Sequence, residues 1–312
     1  MAGKDLKIAV LMGGIGTERE VSLKSGENIA GSIAAAGLDV VAFDIRPDDL
    51  SILDDPSIDV FFPALHGKFG EDGQLQEILE QRGLCYAGSG PEASRIAFDK
   101  IVCKEALKNI DIALPTDLTV NAEDTVGSLK EKIFSIGQKA VVKPITEGSS
   151  FGVQIIEGAE QAAKAAVETY GKFGDCMVEE FIAGREITVG IVNGQALPII
   201  EIRPKTEFYD YDAKYFDDAT EYLFETIEDA ELAAKIQEIA VECFNVIGCR
   251  HWSRVDMILN EENVPYFLEI NTLPGFTSHS LIPMASNKAG MSNSELCVKI
   301  IEAALESFKK GK

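Results

Sequence analysis

The chain has 312 residues, 46% of them apolar, which is enough for about two domains with separate buried cores. Asp and Glu outnumber Lys and Arg by 51 to 29, a formal net charge of −22. That excess excludes a nucleic-acid partner and adsorption to an anionic membrane, since both need cationic patches. Any anionic ligand has to be held by a few placed cations and backbone N–H groups.

The residues ahead of Ile8 have no signal-peptide character, and no run approaches about 18 uninterrupted apolar residues, so a cytoplasmic location is expected. Cys85, Cys103, Cys176, Cys243, Cys249 and Cys297 include no CxxC pair and no zinc-type cluster with His, so reduced, buried thiols are expected.

In chain order, Lys7 to Met12 has a strand pattern, Glu20 to Ala36 a helical period, and Val40 to Asp44 a second strand pattern. Asp59 to Leu65 is a buried strand running into His66-Gly67, followed by a turn and a helix over Leu75 to Arg82. This alternation predicts a parallel sheet with helices on both faces, and ligands gather at the carboxyl ends of such strands. After Pro91 one helix is predicted through Lys100 to Lys108, with a break at Pro115. A strand over Ala140 to Pro144, the Gly/Ser loop Thr146 to Gly152 and a strand over Val153 to Ile156 form a hairpin. Strands follow at Cys176 to Ile182 and Glu186 to Val192. Lys205 to Glu221 has no sustained period and reads as a long ordered loop, a kind that is usually functional. A helix over Glu228 to Ile247 and a closing hairpin complete the third unit.

Three clusters carry chemistry. Gly13-Gly14-Ile15-Gly16 follows a strand, but Arg19 stands where a dinucleotide fingerprint needs its third glycine. The segment is then a tight strand–helix turn, or one that sets a carboxylate of Thr17-Glu18-Arg19-Glu20 at a helix N-terminus to meet a ligand ammonium. Lys143 closes a strand just ahead of Gly148-Ser149-Ser150, a solvated hairpin or a loop whose N–H groups cover phosphates while the lysine neutralises them. The hairpin Arg254 to Leu259 and Pro265 to Asn271 alternates with period 2. Pairing Leu259 with Val264 would set Asp256 opposite Phe267 and Arg254 opposite Glu269. Residues two apart share a face, so Asp256, Glu269 and Asn271 converge with Arg254 beside them. That is a solvated polar face or an oxygen-rich Mg²⁺ site. The hydroxyl-rich turn Thr272 to Ser280 next to it favours the latter.

Glu18-Arg-Glu-Val-Ser22, Ala64-Leu-His-Gly67 with Glu71-Asp-Gly73, Val142-Lys-Pro144 with Glu147-Gly-Ser-Ser150, Tyr209-Asp-Tyr-Asp-Ala-Lys-Tyr215, Arg254-Val-Asp256 and Glu269-Ile-Asn-Thr-Leu-Pro-Gly275 together resemble the D-alanine–D-alanine ligases of the ATP-grasp superfamily. The resemblance covers nearly the whole chain in order. It implies an α/β protein with an ATP-grasp fold behind an N-terminal parallel α/β domain, divided as 1–94, 95–182 and 183–312. It further implies ATP-dependent joining of two D-alanines through a D-alanyl phosphate, for peptidoglycan precursors.

By the same resemblance Lys100 and Lys143 hold ATP phosphates, Glu179, Glu180, Phe181 and Ile182 meet adenine, and Glu186 binds the ribose. Lys214 and Asn271 join the nucleotide set. Asp256, Glu269 and Asn271 would ligate two Mg²⁺ or Mn²⁺ ions. Glu18 anchors the ammonium of the first D-alanine and forms a set with Ser149 and Tyr215, while His66 orients that substrate. Arg254 and the Gly275 N–H stabilise an oxyanion, and Ser280 and Leu281 receive the carboxylate of the second D-alanine. The Tyr/Asp loop becomes a lid. K⁺ activation and a homodimer through the N-terminal domain belong to the same expectation. Ser253 replaces a frequent Gly and Leu273 an alternative Ser, and neither change removes a functional group. The Tyr215 position resembles alanine-using members. Two alternatives are an ATP-grasp ligase with another acceptor and a non-catalytic two-lobed binding protein.

Overall fold

A computed structural model describes residues 6–148, 150–204, 220–277 and 280–311. The chain opens with β1 (Lys7–Gly13), α1 (Arg19–Ala35), β2 (Asp39–Ile45) and β3 (Val60–Pro63), whose strands pair in parallel in the order β2-β1-β3. Alternation along β1 feeds both faces of this sheet. Ile8 and Val10 pack with Ile29 and Ile33 of α1, while Ala9 and Leu11 pack with Leu75 and Leu79 of α2 (Gln74–Gln81).

The single helix expected after Pro91 is two: α3 (Pro91–Phe98) and α4 (Lys100–Ala106). They are separated by Asp99, which leaves helical conformation at φ −94° and ψ 108°. Its carboxylate accepts from the N–H groups of Ile101 and Val102, both at 3.0 Å. An acidic N-cap thus restarts the helix and makes Lys100 its first residue.

Next come β4 (Asp117–Thr119), α5 (Val126–Phe134), β5 (Lys139–Lys143), β6 (Gln154–Glu157), α6 (Ala159–Phe173) and β7 (Met177–Glu180). The four strands form an antiparallel sheet in the order β4-β7-β5-β6. Ala140, Val142 and Val178 point back onto Leu129 and Ile133 of α5 and the alanine-rich face of α6. Period 2 therefore turns Val141, Lys143 and Glu179 to the other side, where they line a cleft.

The facing sheet is built from β8 (Gly184–Val192), β9 (Gln195–Ala196), β10 (Ile200–Arg203), β11 (Glu221–Phe224), β12 (Trp252–Asn260) and β13 (Pro265–Asn271), in the order β11-β10-β8-β12-β13 with β9 paired to β8. Ile187, Val189, Val255 and Met257 pack against Ile236, Ile239 and Cys243 of α7 (Ala230–Ile247). Glu186, Asp256 and Ile258 face the cleft.

The β12–β13 register differs from the expected one. Leu259 pairs with Pro265, and a bulge between Asp256 and Met257 then sets Asp256 opposite Glu269 and Arg254 opposite Asn271. The turn decides the offset: Asn260 Oδ1 accepts from Val264 N–H at 2.8 Å, and Asn263 takes φ 61°, so Val264 belongs to the turn. The extra residue on β13 restores the convergence of the four polar side chains.

Two helices not read from the sequence, α8 (Leu281–Lys288) and α9 (Asn293–Lys310), end the chain. Ile300 and Ile301 of α9 join the core that holds Ile8 and Val10, so the last helix closes a face of the first sheet. Trp252 sits edge-on between Phe62 and Phe276, with ring centroids 5.9 and 6.2 Å away, and joins the first and last strand systems. All six cysteines are free and buried. Among the described residues no helix is long and apolar enough to cross a membrane.

Candidate active site

The four-stranded and six-stranded sheets enclose a cleft of about 440 Å³. Lys100, Lys143, Glu179, Glu180, Phe181 and Ile182 line it from the central unit, and Glu186, Asp256 and Glu269 from the facing sheet. A smaller recess of about 30 Å³ joins Lys100, Glu147 and Gly148 to Glu71, Glu269 and Asn271. Apolar side chains such as Val141, Ile155, Ile258 and Leu268 complete the lining of the cleft.

Lys143 Nζ lies 2.5 Å from Glu179 Oε2, and Glu179 is only 3% exposed. Burial would raise this carboxyl, but the ammonium groups of Lys143 and Lys104 outweigh it and hold Glu179 below the usual carboxylate value. Lys100 Nζ donates to the carbonyls of Glu147 at 2.7 Å and Ile145 at 3.4 Å. Burial lowers the Lys100 pKa, opposed chiefly by Glu269. The loop after β5 is pinned at its base by Asp175, which accepts from Ile145 N–H at 3.2 Å and from the Thr146 hydroxyl at 2.5 Å. Farther on, the Glu147 carboxylate takes Lys68 Nζ at 2.8 Å.

Across the cleft Arg254 grips Asp256 with two bonds, Nε to Oδ1 at 2.8 Å and Nη2 to Oδ2 at 2.7 Å. Thr188 Oγ1 donates to Asp256 Oδ1 at 2.6 Å, and Asn271 Nδ2 donates to Asp256 Oδ2 at 3.2 Å. Asp256 and Glu269 are direct cross-strand neighbours, and their carboxylates with the Asn271 amide oxygen make a set of oxygen donors across the cleft from Lys100 and Lys143. That set fits Mg²⁺ or Mn²⁺ shared with phosphate oxygens. Among the described residues no cluster of three His, Cys, Asp or Glu offers another metal centre.

Glu18 precedes α1 and is 8% exposed. Three anchors place it. Arg19 binds Asp44 with two bonds, at 2.6 and 2.5 Å, and Ser22 accepts from Gly13 N–H at 2.8 Å while donating to Ala64 O at 2.9 Å. Its carboxylate is flanked by backbone from two other segments: a Cβ at position 67 would lie 2.6 Å from Glu18 Oε2, and one at 148 would lie 3.1 Å away. The loop after β5 therefore comes up against the N-terminal acid. Glu71 accepts from Gly67 N–H at 2.6 Å, and burial together with Glu18 raises its pKa well above the usual value.

His66 Nε2 is 3.2 Å from Ser25 Oγ, and Ser25 Oγ accepts from Phe276 N–H at 3.1 Å. Burial pushes the imidazole down to about 4, against a hydrogen bond to the Leu273 backbone, so His66 is a neutral link between the N-terminal sheet and the Thr272 to Gly275 turn. Ser280 precedes α8, and its Oγ accepts from Thr277 N–H at 2.7 Å. A Cβ at Gly275 would come within 3.0 Å of that oxygen. The Leu281 side chain is buried in the core, so only its backbone is available to a ligand. Ser149, Lys214 and Tyr215 lie outside the described residues, as does most of the expected lid.

Sequence reasoning passed over Lys104, Asp175 and the role of Glu71. Lys104 had a signal, a second lysine one helical turn beyond Lys100, whereas nothing around Asp175 marked it.

A family model described as D-ala D-ala ligase C-terminus matches residues 103–302, and one described as D-ala D-ala ligase N-terminus matches residues 51–89. The D-alanine–D-alanine ligase of Laribacter hongkongensis is 42% identical over 298 residues, which is 96% of each chain. The chain belongs to the D-alanine–D-alanine ligase family. Among solved structures, D-alanine–D-alanine ligase from Bacillus anthracis complexed with ATP matches this ligase-family chain with a TM-score of 0.85 at 30% identity, covering 98% of this chain and 100% of that one. The VanG D-Ala:D-Ser ligase from Enterococcus faecalis matches with a TM-score of 0.82 at 28% identity, over 96% of this chain and 99% of its own. The ligase fold is ATP-grasp, and it is shared by enzymes whose names carry different second substrates.

Proposed function

We propose that this protein joins two D-alanines to D-alanyl-D-alanine with conversion of ATP to ADP and phosphate, supplying peptidoglycan precursors. One observation carries the reading: the loop that follows Lys143 brings Gly148 against the buried Glu18 carboxylate, so an ammonium-binding acid and a phosphate-binding end share one site.

Two steps are needed because a carboxylate does not condense with an amine in water at useful rates. A carboxylate oxygen of the first D-alanine attacks the γ-phosphorus and ADP leaves. The amine of the second then attacks the acyl carbon and phosphate leaves. Glu18 holds the ammonium of the first substrate, and neutral His66 braces the turn that faces it. Lys100 and Lys143 take the phosphates, and the strand from Glu179 to Ile182 with Glu186 takes the nucleoside. Asp256, Glu269 and Asn271 would hold Mg²⁺ or Mn²⁺, which supplies charge neutralisation on the transferred phosphoryl group. Arg254 and the Gly275 N–H face the developing oxyanion. Ser280 and the Leu281 N–H, at the start of α8, receive the carboxylate of the second substrate. By the family resemblance Ser149, Tyr215 and Lys214, all outside the described residues, would join the substrate and nucleotide sets, with the Tyr/Asp loop as a lid that would keep water from the acyl phosphate. A homodimer and K⁺ activation are part of the proposal, checked by light scattering and by assay in Na⁺ against K⁺ buffers.

The test is ADP release from Mg²⁺ and ATP with D-alanine, with L-alanine, or with D-alanine plus D-lactate, and mass analysis of products. D-alanine-dependent ADP matched by dipeptide is expected. A dominant ester product would move the protein to a lactate-using branch, and ADP release independent of D-alanine would overturn the substrate assignment.

A further inference from the structure

We infer that Lys104 is a positioning residue for nucleotide binding, acting through Glu179 on Lys143; the inference rests on the proposal that Lys143 meets phosphate. Lys104 is 6% exposed in the middle of α4. Its ammonium has three N–H donors and three acceptors in reach: Asp117 Oδ1 at 2.5 Å, Pro115 O at 2.6 Å and Glu179 Oε1 at 2.7 Å. With its donors occupied by the protein, it is built to hold other groups and not to bind a ligand itself.

What it holds follows from the strand register. Asp117 of β4 pairs directly with Glu179 of β7. Like charges directly opposite on neighbouring strands repel, and more strongly where water is excluded. Lys104 lies between the two carboxylates and offsets that repulsion, which keeps Glu179 turned into the cleft. Glu179 then divides its charge, one oxygen on Lys104 and the other, at 2.5 Å, on Lys143.

The consequence for nucleotide is a matter of competition. A buried carboxylate with a single counter-charge grips that charge hard. Without Lys104, the whole charge of Glu179 would act on Lys143 and draw it away from an arriving phosphate. With Lys104 in place the four side chains are neutral overall, and the Lys143 ammonium can be given up to phosphate at lower cost. The same clamp fixes Glu179, which lines the cleft wall.

The test measures the Kd for Mg²⁺ and ATP by calorimetry with no D-alanine present, using the full chain. Lys104→Met, with wild-type circular dichroism, is expected to raise that Kd about tenfold or more, the usual scale for cutting one partner from a buried charge set. The KM for each D-alanine should stay within about twofold, because Lys104 bonds to Pro115, Asp117 and Glu179 and to none of the residues that take D-alanine. Lys104→Arg keeps the charge between Asp117 and Glu179 and should recover most of the loss. A folded Lys104→Met protein with unchanged ATP Kd would overturn the inference. Should that variant fail to fold, Glu179→Gln is compared with Glu179→Gln/Lys104→Met, in which no carboxylate is left at 179 for Lys104 to modulate. Equal ATP Kd values in the two are expected, and a further loss in the double variant would show that Lys104 does not act through Glu179. Wild-type protein that binds ATP but makes no dipeptide would defeat the proposed reaction and leave this inference standing.

Discussion

At the residue scale the site depends on how closely backbone approaches the Glu18 carboxylate. Gly67 has φ +68°, and a Cβ there would meet Glu18 Oε2 at 2.6 Å, so Gly67→Ala combines backbone strain with a clash that displaces the acid. The expected outcome is a rise of about ten- to a hundredfold in KM for the first D-alanine, with KM for ATP nearly unchanged. Gly148→Ala, with 3.1 Å to the same oxygen, should show a smaller change in the same direction. Steady-state kinetics with each substrate varied separately checks both. Much of this was legible in the sequence: Glu18 stood at the mouth of a strand–helix turn, and Lys143 and Asp256 stood at strand positions whose period turns them to one side. Asp175 and Lys104 were not, because their partners are distant in sequence and their surroundings have no pattern of their own. A contact between Asp175 and Thr146 exists only once β7 lies beside β5.

At the scale of elements, the break between α3 and α4 aims Lys100. Asp99 caps α4 through two backbone N–H groups, and replacing it by Ala is expected to cost about 1 kcal/mol of stability. The same change should raise KM for ATP severalfold, since Lys100 opens the helix that frays. Asn is an equally good cap, so Asp99→Asn should restore both quantities. Urea melts with kinetics on the three proteins test this, and an Ala variant with normal stability would contradict the capping role. The sequence contained the cap signal, yet the apolar period runs across it, and period alone joins the two helices into one. The hairpin shows a similar limit. Its strands, their alternation and the convergence of Asp256, Glu269 and Asn271 were readable, but the register was off by one because a side-chain bond from Asn260 decides where the turn ends. A bulge then compensated, and bulges leave no mark on a pattern of period 2.

At the scale of the whole molecule, the first sheet and the last helix share one core, and two neutral histidines sit on the joints. His251 accepts from Gly88 N–H at Nδ1, 2.9 Å away, and its Nε2 meets Ser307 Oγ at 2.8 Å, so it ties β12 to the N-terminal unit and to α9. Burial pushes both His66 and His251 down to about 4 from an ordinary value of 6.5. The unfolded chain therefore binds more protons between these values, and stability present above pH 6.5 is lost as pH falls toward 4, by up to about 3 kcal/mol per histidine. Glu71, raised by burial and Glu18, acts in the opposite sense as pH rises above its ordinary 4.5. Comparing denaturant midpoints at about pH 7 and about pH 5 should show this loss, and His251→Gln should lose less than the wild type over that interval. An equal loss in both would remove His251 from the explanation. The α/β alternation told the fold class from the sequence, but not that α9 returns to complete the first sheet, since a helix carries no record of which distant sheet it covers. The central claim, that a D-alanine carboxylate is activated by phosphoryl transfer in this cleft, is tested most directly with D-alanine labelled with ¹⁸O in both carboxylate oxygens. Mass analysis should find one ¹⁸O in the released phosphate for each dipeptide formed, and dipeptide formed with unlabelled phosphate would contradict it.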